Sequence, residues 1–181
     1  MKKEESVLEL FFNEPTKHWH FEGILKSAKI SRPQAVQWIK KFMQEGLVQR
    51  LKPRGKMPYY TGNYEHPSYR TKKRIYTLNQ LYKIGFITHL MTLPKAKSVI
   101  LFGSFARADW HSESDIDLFV YGNPEGLNQS KYERLLHREI QLFNAQSPED
   151  LKKMGIPLLL NILKGQTIKG TPDFLAVKIH A

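Results

Sequence analysis

At residues 103–117 the chain reads Gly-Ser-Phe-Ala-Arg-Ala-Asp-Trp-His-Ser-Glu-Ser-Asp-Ile-Asp. The apolar run that precedes it, Ser98-Val-Ile-Leu-Phe, is typical of a short buried strand, and Gly103 then permits an abrupt turn. A helix that starts at Ser104 presents its hydroxyl and the free N–H groups of its first turn to an anion. The turn therefore predicts a phosphate-binding site.

The second half of this stretch predicts a strand that carries two carboxylates. The alternation in Asp115-Ile-Asp-Leu-Phe-Val-Tyr places Asp115 and Asp117 on one face of the strand and the apolar residues on the other. Neighbouring carboxylates repel, and a hard cation such as Mg²⁺ relieves the repulsion by accepting oxygens from both and from substrate phosphates. The motif thus predicts a metal and triphosphate site, with a polar turn and solvent-facing aspartates as the alternative.

Gly103-Ser104 followed by Ser114-Asp-Ile-Asp-Leu resembles the signature of the polymerase-beta-type nucleotidyltransferases, specifically the minimal nucleotidyltransferases. The resemblance covers about residues 95–175. It implies that Gly103 and Ser104 hold a nucleoside triphosphate and that Asp115 and Asp117 bind Mg²⁺. It also implies a third carboxylate on a later strand, which deprotonates or orients the attacking hydroxyl.

The chain departs from the family pattern at two positions. Ala108 stands where a second glycine is usual, and Gln141 stands where the third carboxylate is expected. Glu139 has the same strand parity as Gln141, so either it reaches inward and compensates or it is a solvated residue. Arg107, on the turn after Ser104, either steadies the triphosphate or makes a surface ion pair.

Composition narrows the class of protein. The chain has 181 residues and no cysteine, which excludes disulfides, thiolate zinc sites and cysteine nucleophiles. Its start, Met-Lys-Lys-Glu-Glu, lacks an apolar signal core, and no apolar run is long enough to span a bilayer, so we expect a cytoplasmic protein without membrane contact. The net charge of +11 is uneven, because residues 1–95 hold 18 Lys or Arg against 7 Asp or Glu. Such segregation predicts a polyanionic partner for the first half, or serves solubility alone.

The first half has the pattern of three helices and a basic hairpin. Helical apolar spacing starts at Glu5, His20 and Ser31, and two extended runs then flank the tip Pro53-Arg-Gly-Lys. The order resembles the winged helix-turn-helix of prokaryotic, archaeal-type transcription regulators over about residues 4–62, with 31–44 as recognition helix and 47–61 as wing. It implies contacts with double-stranded DNA, and a protein-interaction module is the alternative. The candidate DNA-binding residues are Arg32, Gln34, Gln37, Lys41, Arg54 and Lys56.

A long helix is predicted between the two halves. It runs from Ser68 to Leu93, and the basic cluster Arg70-Thr-Lys-Lys-Arg opens it. Its apolar face is too wide for an isolated spacer, so it packs on the flanking domains or forms a homodimer seam. The sequence leaves both possibilities open.

Together these patterns predict an α+β chain of three parts: a winged helix-turn-helix over 1–62, a linker or dimerisation helix over 63–94, and a minimal nucleotidyltransferase domain with a sheet and flanking helices over 95–181. We expect a DNA-binding nucleotidyltransferase with Asp115, Asp117 and Glu139 as catalytic residues. By the family resemblance, its acceptor is a partner protein such as a toxin. The alternative is a transcription regulator in which Gln141 has silenced catalysis and the domain senses nucleotide or binds a partner.

Overall fold

The computed structural model describes residues 3–173, which divide into two compact units. The N-terminal unit comprises residues 3–73 together with the short segment 110–112, and the C-terminal unit comprises residues 74–109 and 113–173. The division into 1–62, 63–94 and 95–181 stays a prediction. None of the described helices is long and apolar enough to cross a membrane.

The N-terminal unit consists of three helices followed by a two-stranded antiparallel hairpin. Its elements are α1 (Lys3–Asn13), α2 (Phe21–Ala28), α3 (Arg32–Gln44), β1 (Val48–Leu51) and β2 (Tyr59–Gly62). Helix α3 begins after Ser31, whose backbone N–H donates to the side chain of Gln34 at 3.1 Å. Pro33 suits the first turn of the helix, because the backbone N–H that proline lacks would have no intrahelical partner at that position. Trp19 adds a single bridge to Tyr60 at the hairpin edge.

Aromatic and aliphatic side chains of all three helices form the core of this unit. Its buried members include Val7, Phe11, Phe12, Ile24, Ala35, Ile39 and Phe42 from these helices, joined by Leu47, Val48 and Tyr69 from the chain after α3. On α3 the buried residues are Ala35, Ile39 and Phe42, and Trp38 beside them is half-buried. This packing leaves the opposite face of α3 in solvent.

The prediction of a single helix from Ser68 to Leu93 is wrong in its continuity, because this segment forms two helices. The chain forms α4 (Pro67–Lys83) and α5 (Phe86–Met91), separated at Gly85, whose φ of +78° is outside the helical range. Of the predicted apolar face, Leu81, Phe86 and Leu90 are buried, whereas Ile75 and Tyr82 are more than half exposed. The homodimer seam stays a prediction.

The C-terminal unit is a four-stranded mixed sheet with helices, in agreement with the α+β class. The strands β3 (Ala96–Phe102), β4 (Ile116–Gly122), β5 (Ile140–Ala145) and β6 (Gln166–Lys169) lie in the order β5-β4-β3-β6. Strand β3 is antiparallel to β4 and β6, and β4 is parallel to β5. The helices are α6 (Gly103–Arg107), α7 (Gln129–Leu136), α8 (Pro148–Met154) and α9 (Ile156–Leu163).

One face of this sheet packs on α8 and α9. One apolar cluster is formed by Phe102, Phe119 and Ala145 of the strands together with Leu151 of α8 and Ile162 of α9. Asp117 precedes Phe119 by two residues in β4, so it lies on the same face. The sheet therefore places the Asp-x-Asp motif where β4 begins, at the end of the packed face.

Candidate active site

The Gly-Ser turn joins β3 to the short helix α6, as the sequence predicts. Gly103 has a φ of +65°, a conformation that L residues rarely adopt. A Cβ atom added at Gly103 would lie 1.9 Å from Oδ2 of Asp117 and 2.7 Å from its Cγ. Glycine is thus required twice at this position, by backbone conformation and by the close approach of the aspartate.

The backbone N–H of Ser104, in the first turn of α6, donates to the carboxylate of Asp117. The backbone hydrogen bond from Ser104 stabilises the carboxylate and acts to lower its pKa. The sequence predicts that this N–H faces a phosphate, whereas in the structure it contacts a carboxylate of the protein itself. An incoming phosphate would compete with Asp117 for it.

Burial dominates the electrostatics of Asp117. Desolvation raises its pKa, the negative charge of Asp115 raises it further, and Arg107 together with the Ser104 N–H partly opposes both effects. Asp115 itself is exposed, just before β4. A nearby cation would stabilise this pair, because its charge offsets both the repulsion between the two carboxylates and the partial desolvation of Asp117.

Arg107 lies close enough to Asp117 to lower its pKa, although its hydrogen-bond partners are elsewhere. Its Nε donates to Oδ2 of Asp109 at 2.9 Å, and its Nη1 donates to Oδ1 of Asn161 at 3.4 Å. The guanidinium is half exposed, so the ion pair with Asp109 contributes little stability. Contact between Arg107 and a triphosphate stays a prediction.

Strand pairing places Gln141 beside Asp117. The two residues are partners in the parallel β4–β5 ladder, in which opposite side chains point to the same face about 5 Å apart. Glu139 precedes β5, is exposed, and accepts the backbone N–H of Ile116 through its carbonyl oxygen at 2.9 Å. By the rise of an extended chain it lies about 7 Å from Gln141 along the strand. Compensation by Glu139 stays a prediction.

The donor set fits a hard divalent cation held jointly with a substrate. Across residues 3–173 there is no cluster of three or more His, Asp or Glu side chains that could hold a metal ion. Asp115 and Asp117 supply carboxylate oxygens, and Mg²⁺ usually takes one or two carboxylates and completes its shell with waters and phosphate oxygens. The residues present therefore suit Mg²⁺ bound with a nucleotide rather than an all-protein metal site.

Three of the predicted DNA-contact residues have partners within the N-terminal unit. The guanidinium of Arg32 pairs with Glu22, the side chain of Gln34 caps α3, and Nζ of Lys41 lies 2.7 Å from Glu4. Gln37 is exposed on α3, and Arg54 and Lys56 are exposed on the loop between β1 and β2. Arg54 and Lys56 are thus exposed cations on the hairpin loop, and the weak exposed pair of Lys41 with Glu4 leaves that ammonium available as well.

The sequence does not predict the cleft that lies beside this loop. It has a volume of about 390 Å³ and is lined by His18, His20, Pro53, Lys56, Met57 and Tyr59. The imidazole of His18 stacks on the ring of Tyr59 at 3.8 Å between centroids. The available signal was the pair of histidines flanking Trp19, whose bridge to Tyr60 turns both toward the hairpin.

Residues 86–171 match the family model described as polymerase beta, nucleotidyltransferase. This segment of the C-terminal unit is similar to that family. The matched segment includes the Gly103-Ser104 turn, both aspartates and all four strands of the sheet. The resemblance of the Gly-Ser and Asp-x-Asp motif to this family is therefore confirmed for this part of the chain.

Two solved structures are similar to the chain. A toxin-antitoxin structure with AMP-PNP has a TM-score of 0.38 at 20% identity and covers 56% of this chain and 86% of its own. A mutant of the toxin-antitoxin MntA-HpeT has a TM-score of 0.37 at 16% identity and covers 59% of this chain and 87% of its own. No curated protein gives a significant match.

We expect Gly103→Ala to destabilise the C-terminal unit by at least about 3 kcal/mol, because backbone strain of about 1–2 kcal/mol adds to the clash with Asp117. Gly85→Ala is the matched control, since Gly85 also has a positive φ but an added Cβ would meet nothing within 4 Å. Gly85→Ala should lower the free energy of unfolding only by the backbone strain of about 1–2 kcal/mol. Urea unfolding of both variants measures the difference.

The clash can be tested separately from the strain. In an Asp117→Ala background the carboxylate that a Cβ at Gly103 would meet is gone, so Gly103→Ala should cost about 1–2 kcal/mol less there than in the wild type. Equal costs in the two backgrounds would show that Asp117 does not press on the turn.

The raised pKa of Asp117 predicts a stability change with pH. The folded protein holds this proton more tightly than the unfolded chain, so the stabilisation is present below the ordinary pKa of 3.8 and is lost as pH rises through the raised value. Asp117→Asn removes this loss and should become increasingly stable relative to wild type as pH rises toward neutral. Urea unfolding in EDTA at several pH values measures the trend.

Asp150→Asn provides the control of opposite sign. Hydrogen bonds from Ser147 lower the pKa of Asp150, so its contribution appears above the ordinary value of 3.8 and is lost as pH falls through the lowered value. Asp150→Asn should therefore become less stable relative to wild type as pH rises. Parallel trends in the two variants would contradict the assignment for Asp117.

Proposed function

We propose that the protein transfers a nucleotidyl group from a Mg²⁺-bound nucleoside triphosphate to an acceptor hydroxyl, and that its N-terminal unit is a winged helix-turn-helix that binds double-stranded DNA. The proposal of nucleotidyl transfer rests on the close approach of the Asp117 carboxylate to the turn at Gly103, with Asp115 immediately before β4, the strand that contains Asp117. The family match over this segment supports it. Both functions suit a cytoplasmic protein.

Each residue of the site has a defined task in this proposal. The turn at Gly103 and Ser104 positions the phosphates, Arg107 contributes positive charge, and Asp115 and Asp117 hold Mg²⁺. The ion, when bound, neutralises charge on the reacting phosphates. The acceptor oxygen forms a bond to the α-phosphorus while the bond from that phosphorus to the bridging oxygen breaks, and pyrophosphate leaves. Glu139 takes the proton of the acceptor hydroxyl, directly or through water.

We propose a partner protein of the toxin class as the acceptor. The support is the resemblance of the Gly-Ser and Asp-x-Asp motif to the minimal nucleotidyltransferases, whose small members often modify such a partner. A winged helix on the same chain would let the protein regulate its own synthesis by binding its operator.

A regulator with a silent site is the second candidate, and the register of the sheet favours it. Gln141 is the partner of Asp117 in the β4–β5 ladder, and an amide neither deprotonates a hydroxyl nor binds a second metal well. In this case Asp115 and Asp117 would bind nucleotide and Mg²⁺ without transfer, and the affinity of the N-terminal unit for DNA would depend on whether nucleotide is bound.

Transfer of label from α-labelled nucleoside triphosphates with Mg²⁺, with and without host lysate, separates the two candidates. We expect labelled product with the wild type and a loss of at least about 100-fold in the Asp115→Asn, Asp117→Asn double variant, because both charges that hold the ion are removed. Gln141→Asp should raise the rate by restoring a carboxylate beside Asp117.

The pattern across variants decides the outcome. Label transferred by Gln141→Asp but not by the wild type would establish the silent regulator. Equal transfer by the wild type and the double variant would contradict the proposed site. Glu139→Gln is the matched test of the base, and it should slow transfer without weakening nucleotide binding.

DNA binding is proposed for the hairpin loop and the exposed face of α3. The double variant Arg54→Ala, Lys56→Ala should weaken duplex binding and reduce the slope of log K against log salt by about 2, because each basic residue neutralises about one phosphate. The control, Lys152→Ala with Lys164→Ala, removes the same charge from exposed sites of the C-terminal unit. Fluorescence anisotropy over a salt series measures both, and an unchanged slope in the loop variant would refute the wing assignment.

A further inference from the structure

Arg138 is fixed in the C-terminal unit by the way in which α7 ends. That helix ends at Leu136, and the next residue, His137, has a φ of +51° that turns the chain toward β5. The backbone N–H of Arg138 donates to the carbonyl oxygen of Glu133 at 3.2 Å, and a carboxylate oxygen of Glu133 accepts the N–H of Ile140 at 3.1 Å. The side chain of Arg138 therefore starts from a well-held stretch of backbone.

The guanidinium of Arg138 contacts both segments that form the candidate site, the turn into α6 and the residues before β4. Its Nη1 donates to the carbonyl oxygen of Ser114 at 2.8 Å, and its Cζ lies over the ring of Phe105, 5.3 Å from the centroid. Phe105 follows Ser104 in α6 and is 5% exposed, whereas Ser114 directly precedes Asp115. A guanidinium suits this place, because its flat face packs on an aromatic ring while its edge donates hydrogen bonds.

Both peptide groups that flank Asp115 are hydrogen-bonded to the residues that lead into β5. The carbonyl of Ser114 belongs to the peptide group before Asp115, and it accepts from the side chain of Arg138. The N–H of Ile116 belongs to the peptide group after Asp115, and it donates to the carbonyl oxygen of Glu139 at 2.9 Å. Two consecutive residues of one segment thus hold the backbone of Asp115 from both sides.

The ladder of β4 alone leaves one rotation open at Asp115. Ile116 is the first residue of that ladder, so pairing with β5 fixes the peptide group after Asp115 but not the one before it. Rotation about the Cα–C bond of Asp115 swings its Cβ and the Ser114 carbonyl together, because the same Cα carries both. A hydrogen bond to that carbonyl therefore restricts the direction in which the Asp115 side chain leaves the backbone.

We propose that Arg138 is a positioning residue for Asp115: its guanidinium holds the Ser114 carbonyl and so sets the direction in which Asp115 extends its carboxylate. The metal role of Asp115 rests on the proposed function, whereas the restraint on its backbone does not. Phe105 supports the guanidinium from the side of α6, so one side chain links the turn after β3 to the start of β4. In this role Arg138 acts through Asp115 and does not itself contact the nucleotide.

Backbone NMR relaxation tests the restraint without any activity assay. The N–H of Asp115 lies in the same peptide plane as the Ser114 carbonyl, so its order parameter reports the mobility of that plane. Arg138→Met keeps an extended side chain and removes the donors, while Arg134→Met is the matched control at an exposed position of α7. We expect the order parameter of the Asp115 amide to fall from about 0.85 in the wild type to below about 0.6 in Arg138→Met. The value at Ile116, and both values in Arg134→Met, should remain as in the wild type.

The Ile116 amide separates positioning from a general loss of structure. An unchanged order parameter at Asp115 would overturn the proposal, because the Ser114 peptide group would then be held without Arg138. Equal loosening at Asp115 and Ile116 would also overturn it, since Arg138 would then support the β4–β5 ladder as a whole.

The wild type decides the matter should Arg138→Met fail to fold. A guanidinium that is hydrogen-bonded to the Ser114 carbonyl rotates slowly, so the Nη groups of Arg138 should give separate resonances. A single averaged signal would show that the bond is not held in solution and would refute the proposal.

A binding measurement extends the test to the metal site. Calorimetry with Mg²⁺ and a non-hydrolysable ATP analogue should show affinity about tenfold weaker in Arg138→Met than in Arg134→Met, a size typical of residues that orient metal ligands. In an Asp115→Asn background, Arg138→Met should change the affinity by less than about twofold, because no carboxylate remains at residue 115 to be positioned.

The two backgrounds distinguish positioning from direct contact. A loss of about tenfold in both would show that Arg138 acts on the nucleotide itself, and equal affinity of Arg138→Met and Arg134→Met would show that it has no effect on the site; either result would overturn the positioning role. If the wild type bound no Mg²⁺-nucleotide, the proposed function would fail, while the relaxation experiment would still decide the restraint.

Discussion

The contact between the Asp117 carboxylate and the backbone at Gly103 is the constraint on which the candidate site depends. It brings the start of β4 against the end of β3, fixes glycine at the turn, and places the Ser104 N–H at a carboxylate oxygen. The Ser104 N–H is already bonded to Asp117, so a negatively charged ligand at the turn would have to displace that carboxylate oxygen.

The site is unfavourable for the folded protein alone. Asp117 is partly desolvated beside a second carboxylate, and the nearby charge of Arg107 only partly compensates. A residue that sacrifices stability in this way is a mark of a functional site, since nothing in the packing requires a carboxylate there. The exposed Gln141 alongside is different, because a neutral amide adds no repulsion to the two carboxylates.

Local chemistry made part of the structure predictable. The turn at Gly103, the paired aspartates and the capped start of α3 at Ser31 each follow from residues within a few positions of one another. The apolar pattern continues across Gly85 and predicts a helix there, whereas the positive φ of Gly85 separates α4 from α5. The ion pair of Lys41 with Glu4 and the burial of Lys73 join residues 37 or more positions apart, and no local pattern encodes them. Lys73 in particular belongs to a basic run that reads as a solvated helix start.

The inclusion of residues 110–112 in the N-terminal unit sets an order of events during synthesis. Domains generally fold as units, N-terminal ones first as the chain emerges from the ribosome. Until that segment has emerged, the N-terminal unit lacks the ring and the backbone carbonyl of Trp110, both of which Lys73 contacts. The N-terminal unit therefore completes its packing only after residues 110–112, which follow the Gly103-Ser104 turn in the chain, have been synthesised.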